Sequence, residues 1–210
     1  IVSGITLGGR SGVIIKNCRI VGYGEFNIKL DDSHNNVFDN NILKDGWISG
    51  FNINRGSYNN FTNNDVTNSD KSNIGGHANF WMWRGHNNFF LNNTVENASQ
   101  GFEIANSSNN LFEGNIIRNN TLGLGLGSDA WSSVNEIVRN NLIVGSIRGL
   151  YFAPGSSNHT VENNSIYRTD SYISSNGSIS YNVYNEDNIP SIVENNWWGT
   201  RDNDTIASTM

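Results

Sequence analysis

Two tryptophans separated by a single residue, Trp81 and Trp83, are the side chains of this chain best suited to contact a ligand. The segment Phe80-Trp81-Met82-Trp83-Arg84-Gly85 repeats the alternation of Phe51-Asn52-Ile53-Asn54-Arg55-Gly56. Because alternate side chains of a strand share a face, Phe80 and Met82 are expected to point into the core, and Trp81 and Trp83 are expected to point outward. Exposed indoles stack on sugar rings, and polar neighbours hydrogen-bond sugar hydroxyls. The residues expected to contact carbohydrate are Trp81, Trp83, Asn52, Asn54, Glu103 and Tyr151.

The same alternation predicts two solvent-facing columns that include these residues. One column contains Asn27, Asn52, Trp81, Glu103 and Tyr151, and the other contains Lys29, Asn54, Trp83, Ala105 and Ala153. Gly123 and Gly125 lie further along, where a ligand would approach the backbone closely. The alternative is that the insertion at 66–80 covers the two tryptophans and buries them.

Charged residues near the two tryptophans are weaker candidates for catalysis. Elimination from a uronate needs a base beside the sugar proton and a cation beside the carboxylate. Hydrolysis needs two carboxylates about 5–10 Å apart, and no such pair is evident. The ordinary role of such charged residues is a solvated turn. The catalytic candidates are Asp70, Lys71, His77, Arg84 and Glu103, with Asp129 and Trp131 as a weaker turn candidate.

Composition excludes several classes of protein. The chain has 13 Lys+Arg against 19 Asp+Glu, a net charge of -6, which argues against a nucleic-acid partner. No apolar run approaches the roughly 20 residues that span a bilayer. One cysteine and four histidines indicate no metal site and no cofactor. Calcium could use Asp31, Asp32 or Asp70, but their spacing does not resemble a calcium loop.

A short pattern of an apolar residue, any residue, two Asn, any residue and an apolar residue recurs along the chain. It begins at residues 15, 38, 61, 90, 112, 138, 161 and 193, so successive repeats are 22 to 32 residues apart. Such a repeat is too short for a strand-helix-strand unit but suits two or three short strands. Stacking the repeats about 4.8 Å apart predicts an all-β parallel β-helix of about eight coils.

The paired Asn residues predict ladders that run along this solenoid. Residues at equal phase stack directly, and a stacked carboxamide donates to one neighbour and accepts from the other. One ladder is expected at Asn40, Asn63 and Asn92, and a second at Asn41, Asn64, Asn93 and Asn115. Cys18 occupies the second ladder and is expected to be a small buried residue rather than a nucleophile.

These repeats resemble the right-handed parallel β-helix repeats of the NosD-like and wider carbohydrate-binding and sugar-hydrolase group, as in archaeal and bacterial surface proteins. The resemblance rests on Ser33-His34-Asn35-Asn36, Ser57-Tyr58-Asn59-Asn60 and Asn195-Asn196-Trp197-Trp198-Gly199-Thr200. It implies a β-helix over 1–200 and the start of a C-terminal helix or cap, apparently truncated, over 201–210. It also implies an extracellular or cell-surface location, with the periplasm as the alternative. The uncapped ends suggest a fragment or end-to-end self-association.

The group includes lyases, epimerases, hydrolases, adhesins and envelope components, so several functions stay open. The first is a structural or adhesive surface solenoid that contacts glycans or neighbouring subunits. The second is a polysaccharide-active lyase, epimerase or glycoside hydrolase with a groove over Trp81 and Trp83. The third is a periplasmic accessory to metal-site assembly. The chain offers few copper ligands for that role, because it has only four His, one Cys and two Met.

Nine Asn-x-Ser/Thr sequons offer sites for N-glycosylation. The pattern places Asn92 and Asn163 in buried ladders, whereas four others fall in expected turns. The expected glycosylation sites are Asn97, Asn106, Asn158 and Asn176.

Overall fold

The computed structural model of the protein describes residues 2–69, 77–128, 130–167, 181–185 and 191–198. Three parallel sheets run along one axis, and each coil adds one strand to every sheet in turn. Two sheets have eight strands and the third has seven, which makes about seven complete coils. No α-helix occurs within those residue ranges. The prediction of an all-β parallel β-helix is confirmed.

The first sheet contains the longest strand of each coil. Numbered along the chain, its strands are β1 (Ile5–Gly8), β4 (Phe26–Asp31), β7 (Ser49–Asn54), β10 (Ala78–Trp83), β13 (Gln100–Ala105), β16 (Leu122–Leu126), β19 (Arg148–Phe152) and β22 (Tyr181–Asn185).

The other two sheets consist of short strands. The second sheet contains β2 (Ile14–Lys16), β5 (Val37–Asp39), β8 (Asn60–Thr62), β11 (Phe89–Leu91), β14 (Leu111–Glu113), β17 (Ile137–Arg139), β20 (His159–Glu162) and β23 (Ser191–Glu194). The third contains β3 (Arg19–Val21), β6 (Ile42–Lys44), β9 (Asp65–Thr67), β12 (Thr94–Glu96), β15 (Ile116–Arg118), β18 (Leu142–Val144) and β21 (Ser165–Tyr167).

Two columns of phenylalanine fill the middle of the core. The rings of Phe61 and Phe90 in the second sheet stack with centroids 4.9 Å apart, close to the strand spacing. Phe80 of the first sheet meets Phe90 edge to face at 5.5 Å. Stacking within a column and edge contacts between columns both suit aromatic quadrupoles, so the core is specific as well as apolar.

The second predicted Asn ladder is present and fully hydrogen-bonded. The backbone N and Nδ2 of Asn64 both donate to Oδ1 of Asn93, at 2.9 and 3.0 Å. Nδ2 of Asn64 also donates to the Phe38 carbonyl. The same arrangement recurs along the solenoid at Asn41, Asn64, Asn93, Asn115, Asn141, Asn164 and Asn196. Cys18 continues this column partly buried, and its backbone N donates to Oδ1 of Asn41.

The first predicted ladder is wrong as a buried element. Asn40, Asn63 and Asn92 are exposed, and each has a positive φ between 53° and 57° at a corner of the coil. Asn adopts this left-handed conformation more readily than most residues, and that is its role here. The sequon residues Asn92 and Asn163 share this corner, so they are exposed rather than buried.

A further ladder, which the sequence reasoning missed, begins the second-sheet strands. Asn36, Asn59, Asn88 and Asn110 repeat the same bonding. Glu136 takes the next position, where Oε2 accepts from the Asn110 backbone N at 2.7 Å and Oε1 from its Nδ2 at 3.2 Å. The backbone N of Glu136 in turn donates to Nδ1 of His159 at 3.3 Å. Burial raises the pKa of Glu136 to about 8 and lowers the pKa of His159 to about 4.

Candidate functional site

The outer face of the first sheet presents two adjacent rows of side chains. The outer row is Lys29, Asn52, Trp81, Glu103, Gly125 and Tyr151, and the neighbouring row begins with Asp31, Asn54, Trp83 and Ala105. The register places these residues on consecutive strands, about 4.8 Å apart. The sheet therefore lines up most of the predicted carbohydrate contacts along the solenoid axis.

The predicted register of β4 is wrong by two residues. Phe26 pairs with Ser49 and Ile28 with Phe51, so Lys29, not Asn27, takes the position beside Asn52. Asn27 is fully buried, and its Nδ2 donates to the carbonyls of Ile20 and Lys44. This amide satisfies buried backbone where the coil turns from the third sheet into the first, so it has a structural role.

The two tryptophans lie side by side and are partly exposed, as the alternation predicts. The Arg84 guanidinium lies 4.1 Å from the Trp83 ring centroid, a cation–π distance. Trp131 meets Trp83 edge to face at 6.2 Å, and His77 meets Trp81 in the same manner at 6.2 Å. Aromatic surface at this point thus comes from β10 and from the 128–131 turn.

A smaller cavity of about 290 Å³ lies on the N-terminal side of the tryptophans. Lys29, Asp31, Asn52 and Asn54 line it together with both indoles. Lys29 Nζ lies 3.0 Å from Asp31 Oδ2, and Asn54 Nδ2 donates to Asp31 Oδ1 at 2.8 Å. Burial acts to raise the pKa of Asp31, but these hydrogen bonds and the nearby cations outweigh it, so the pKa lies below its usual value. The carboxylate therefore stays ionised as a fixed acceptor.

A larger cavity of about 450 Å³ lies on the C-terminal side. Glu103 and Tyr151 line it, and Gln100 Nε2 donates to Glu103 Oε2 at 3.5 Å. The Arg148 guanidinium lies 5.9 Å from the Tyr151 ring centroid. Trp131, which is 47% exposed, lines the same cavity.

Three predicted contacts are less accessible than the alternation suggested. Asn52, Glu103 and Tyr151 were expected to face solvent, but they are only 3%, 8% and 6% exposed. They do point to the outer face, where larger neighbours enclose them as cavity walls. Gly123 does not offer its backbone to a ligand, because a Cβ there would lie 2.5 Å from the Gly149 carbonyl oxygen. Alternation in the sequence predicts which face of the sheet a side chain points to, but not whether larger neighbouring side chains cover it.

The catalytic candidates are brought together only in part. His77 and Arg84 contact the two tryptophans, and Glu103 lies beside Trp81 in the outer row. Nδ1 of His77 is buried without a hydrogen-bond partner in the described part of the chain. The predictions at Asp70, Lys71, Asp129, Asn176 and 201–210 fall outside the described residues.

Neither of the described aspartates suggested for calcium is arranged as a ligand. Asp31 pairs with Lys29, and Asp32 pairs with Arg55 at 2.6 Å. Within the described ranges, no group of three or more His, Cys, Asp or Glu is placed to hold a metal ion. The same residues include no helix long and apolar enough to cross a membrane.

Sequence reasoning missed several residues that line the cavities. Gln100 and Arg148 begin their strands, outside the predicted columns; Lys29 was expected beside Asn54 rather than Asn52, and Asp31 was considered only for calcium. Trp131 was only a turn candidate, and its contact with Trp83 depends on a turn closed between Ser128 and Trp131. A short turn that folds back over a sheet leaves no periodic signal.

Comparison with solved structures finds the same fold in larger proteins. A mutant form of the periplasmic alginate epimerase AlgG matches with a TM-score of 0.71 and 15% identity, over 89% of this chain and 50% of that chain. The enzymatically active domain of bacteriophage CBA120 tailspike protein 2 matches with a TM-score of 0.68 and 16% identity, over 88% and 28%. The A-module of mannuronan C-5 epimerase AlgE6 from Azotobacter vinelandii gives 0.55 and 13%, over 92% and 59%.

This chain spans less than two thirds of each of these structures, and at such identities the likeness shows the fold alone. No curated protein sequence matches the chain significantly. The family model for the right-handed β-helix region matches residues 3–166 and 82–206. That match agrees with the coil order, the three parallel sheets and the ladders described above. The chain therefore belongs to the right-handed β-helix family.

Proposed function

We propose that this protein is an extracellular or cell-surface β-helix that binds a glycan chain along the outer face of its first sheet. One observation carries the proposal: Trp81 and Trp83 lie side by side and partly exposed, and on each side of them is a cavity that has polar side chains in its wall. Aromatic faces beside fixed donors and acceptors are the ordinary composition of a sugar site. The alignment with the solenoid axis suits an extended ligand.

The polar groups of the two cavities support this proposal. Asp31 and Asn54 form a hydrogen-bonded pair in the smaller cavity, and Gln100 and Glu103 form one in the larger. Groups already held by one another lose little freedom when a ligand binds, which favours affinity. Fold neighbours named for alginate and mannuronan epimerisation lend further support, as proteins of this fold that act on polysaccharides.

The test is a glycan array followed by calorimetry with Trp81→Ala, Trp83→Ala and the double variant. Removing a central aromatic anchor is expected to weaken binding about tenfold or more. Trp47, which is 51% exposed and lines neither of these cavities, supplies the matched control Trp47→Ala. Equal affinity in all variants, or no glycan bound by the parent protein, contradicts the proposal.

The location of the protein and its partners are further parts of this proposal, supported by the resemblance of its repeats to those of surface proteins. The glycan is a polysaccharide or a cell-surface chain, and the periplasm is the alternative compartment. End-to-end association of solenoids and glycans on Asn97, Asn106 and Asn158 are further parts of this proposal. Asn97 and Asn158 are exposed at corners, and Asn106 is partly exposed. Sedimentation and mass spectrometry of the protein from a glycosylating host test these two points.

A second candidate function is polysaccharide lyase, epimerase or hydrolase activity in the same groove. It is favoured by Glu103, Arg148 and Tyr151, which place an acid, a cation and a phenol around one cavity. The assay follows new reducing ends and unsaturated uronates after incubation with neutral and acidic polysaccharides. Turnover that is lost in Glu103→Gln would establish the enzyme, and binding without turnover would establish the adhesive role.

A further inference from the structure

The outer row of the first sheet is interrupted at one strand. Gly125 pairs with Glu103 on one side and with Tyr151 on the other. Both neighbours line the larger cavity. A side chain at position 125 would project between them, next to Leu122, which also lines the cavity.

The fold itself does not require glycine at this position. A Cβ on Gly125 would meet only Cδ2 of Leu122 at 3.1 Å, the far end of a flexible side chain, with the next atoms at 3.7 Å. The two neighbouring glycines of the chain differ from it. A Cβ on Gly123 would lie 2.5 Å from backbone, and Gly127 has a φ of +101° and would meet the Ala153 Cβ at 2.6 Å.

The walls of the cavity suit a sugar ring. Tyr151 and Trp131 provide aromatic surface, and the Gln100 and Glu103 pair provides a donor and an acceptor. A volume of about 450 Å³ lies within the range of small-ligand sites. A flat ring with hydroxyls on its edge satisfies both kinds of wall.

The charges around the cavity distinguish neutral from acidic sugars. The Glu103 carboxylate is in the wall and only 8% exposed, whereas Arg148 is exposed at the rim. Solvent and salt screen an exposed charge much more than a buried one. A carboxylate of the ligand placed against Glu103 would therefore meet a weakly screened negative charge, while a hydroxyl group would donate to Glu103.

We propose that the larger cavity, beside Gly125, is a subsite for one neutral hexopyranose residue of the bound glycan. Its hydroxyls donate to Glu103, and its ring packs against Tyr151 and Trp131. This inference rests on the proposed glycan-binding function and names the sugar class that the larger cavity accepts.

Calorimetry with two sets of oligosaccharides tests the subsite. The neutral set contains hexamers of glucose, mannose and galactose, and the acidic set contains hexamers of galacturonate and mannuronate. The parent protein is expected to bind a neutral hexamer, and Gly125→Leu is expected to weaken that binding about tenfold or more. The matched control is Gly8→Leu, on the same sheet, where nothing lies within 4 Å of the added Cβ. Glu103→Gln gives a second reading in a side chain of equal size, with an expected loss of about tenfold.

The outcomes separate this inference from the function on which it rests. If Trp83→Ala abolishes binding while Gly125→Leu and Glu103→Gln bind as tightly as the parent protein, glycan binding at the tryptophans is supported and the subsite is wrong. If the acidic hexamers alone bind, or bind more tightly after Glu103→Gln, the neutral sugar is wrong. If the parent protein binds no hexamer, the proposed function and the subsite both fail.

Discussion

Replacement of Glu136 by Gln tests the energetics of the ladder that opens the second-sheet strands. Glu136 is fully buried among Asn110 and His159, where every other ladder position upstream is an amide. Burial raises the pKa of its carboxyl to about 8, from an ordinary value of 4.5. Burial also lowers the pKa of the neighbouring His159 to about 4, from 6.5. The substitution keeps the length of the side chain and removes its titration.

The two groups make opposite contributions to stability. The folded protein retains the Glu136 proton that the unfolded chain releases, so the free energy of unfolding falls as pH rises from 4.5 to 8. Between pH 4 and 6.5, His159 is protonated in the unfolded chain but neutral in the folded protein, so the free energy of unfolding rises with pH over this range. Between pH 4.5 and 6.5 the two slopes cancel. Above pH 6.5 only Glu136 titrates, and the remaining 1.5 pH units amount to about 2 kcal/mol.

Thermal unfolding followed by circular dichroism between pH 4 and 9 measures this effect. A loss of about 2 kcal/mol corresponds to a fall in Tm of about 4–8 °C for a chain of this length between pH 6.5 and 8. In Glu136→Gln this fall is expected to disappear, leaving the rise between pH 4 and 6.5 that His159 produces. The control is Glu162→Gln, a partly exposed carboxyl on the adjacent strand, which should retain the fall. A fall that persists in Glu136→Gln would refute the reasoning.

Three further substitutions test how the fold is held together. Asn93→Ala removes the acceptor of two Asn64 donors and is expected to cost about 3–6 kcal/mol in urea unfolding, whereas exposed Asn92→Gly should change stability by less than about 1 kcal/mol. Phe90→Ala opens the aromatic core and should cost about 3–5 kcal/mol, against little for its exposed neighbour in Phe89→Ala. Gly50→Ala forces a Cβ to 2.3 Å from Val66 Cγ1 and should lower Tm strongly, whereas Gly8→Ala, with open space around it, should not. Equal effects within any of these pairs would contradict the placement of that residue.

The fold was predictable because its determinants recur. Each coil needs one inward Phe or similar residue per strand and one amide at a fixed phase, so the pattern around Asn64 reappears in the pattern around Asn93. Errors arose where one residue type has two roles. Asn92 and Asn93 are adjacent and identical in type, yet one adopts a positive φ in solvent and the other bonds inside the core. Composition alone does not separate these roles, because the difference lies in backbone conformation.

The candidate site was predictable only where it follows the repeat. Trp81 and Trp83 stand where the matching segment one coil earlier has Asn52 and Asn54, and that difference between two otherwise similar segments is visible in the sequence. The larger cavity was not visible, because it depends on the turn that brings Trp131 against Trp83. The missed ladder position at Glu136 is of the same kind, since a carboxyl there has meaning only beside Asn110.

The structure limits where a β-helix of this kind can acquire function. Inward positions hold the aromatic columns, and the corners hold residues that accept positive φ, so substitution at either place costs stability. Outward positions are free of both demands, and on the first sheet they lie on the longest strands. In the outer row of that sheet, Trp81 is the largest side chain, and Gly125, two strands further along, has none. The proposed glycan site gives a reason for both residues, whereas the packing of the coils requires neither of them.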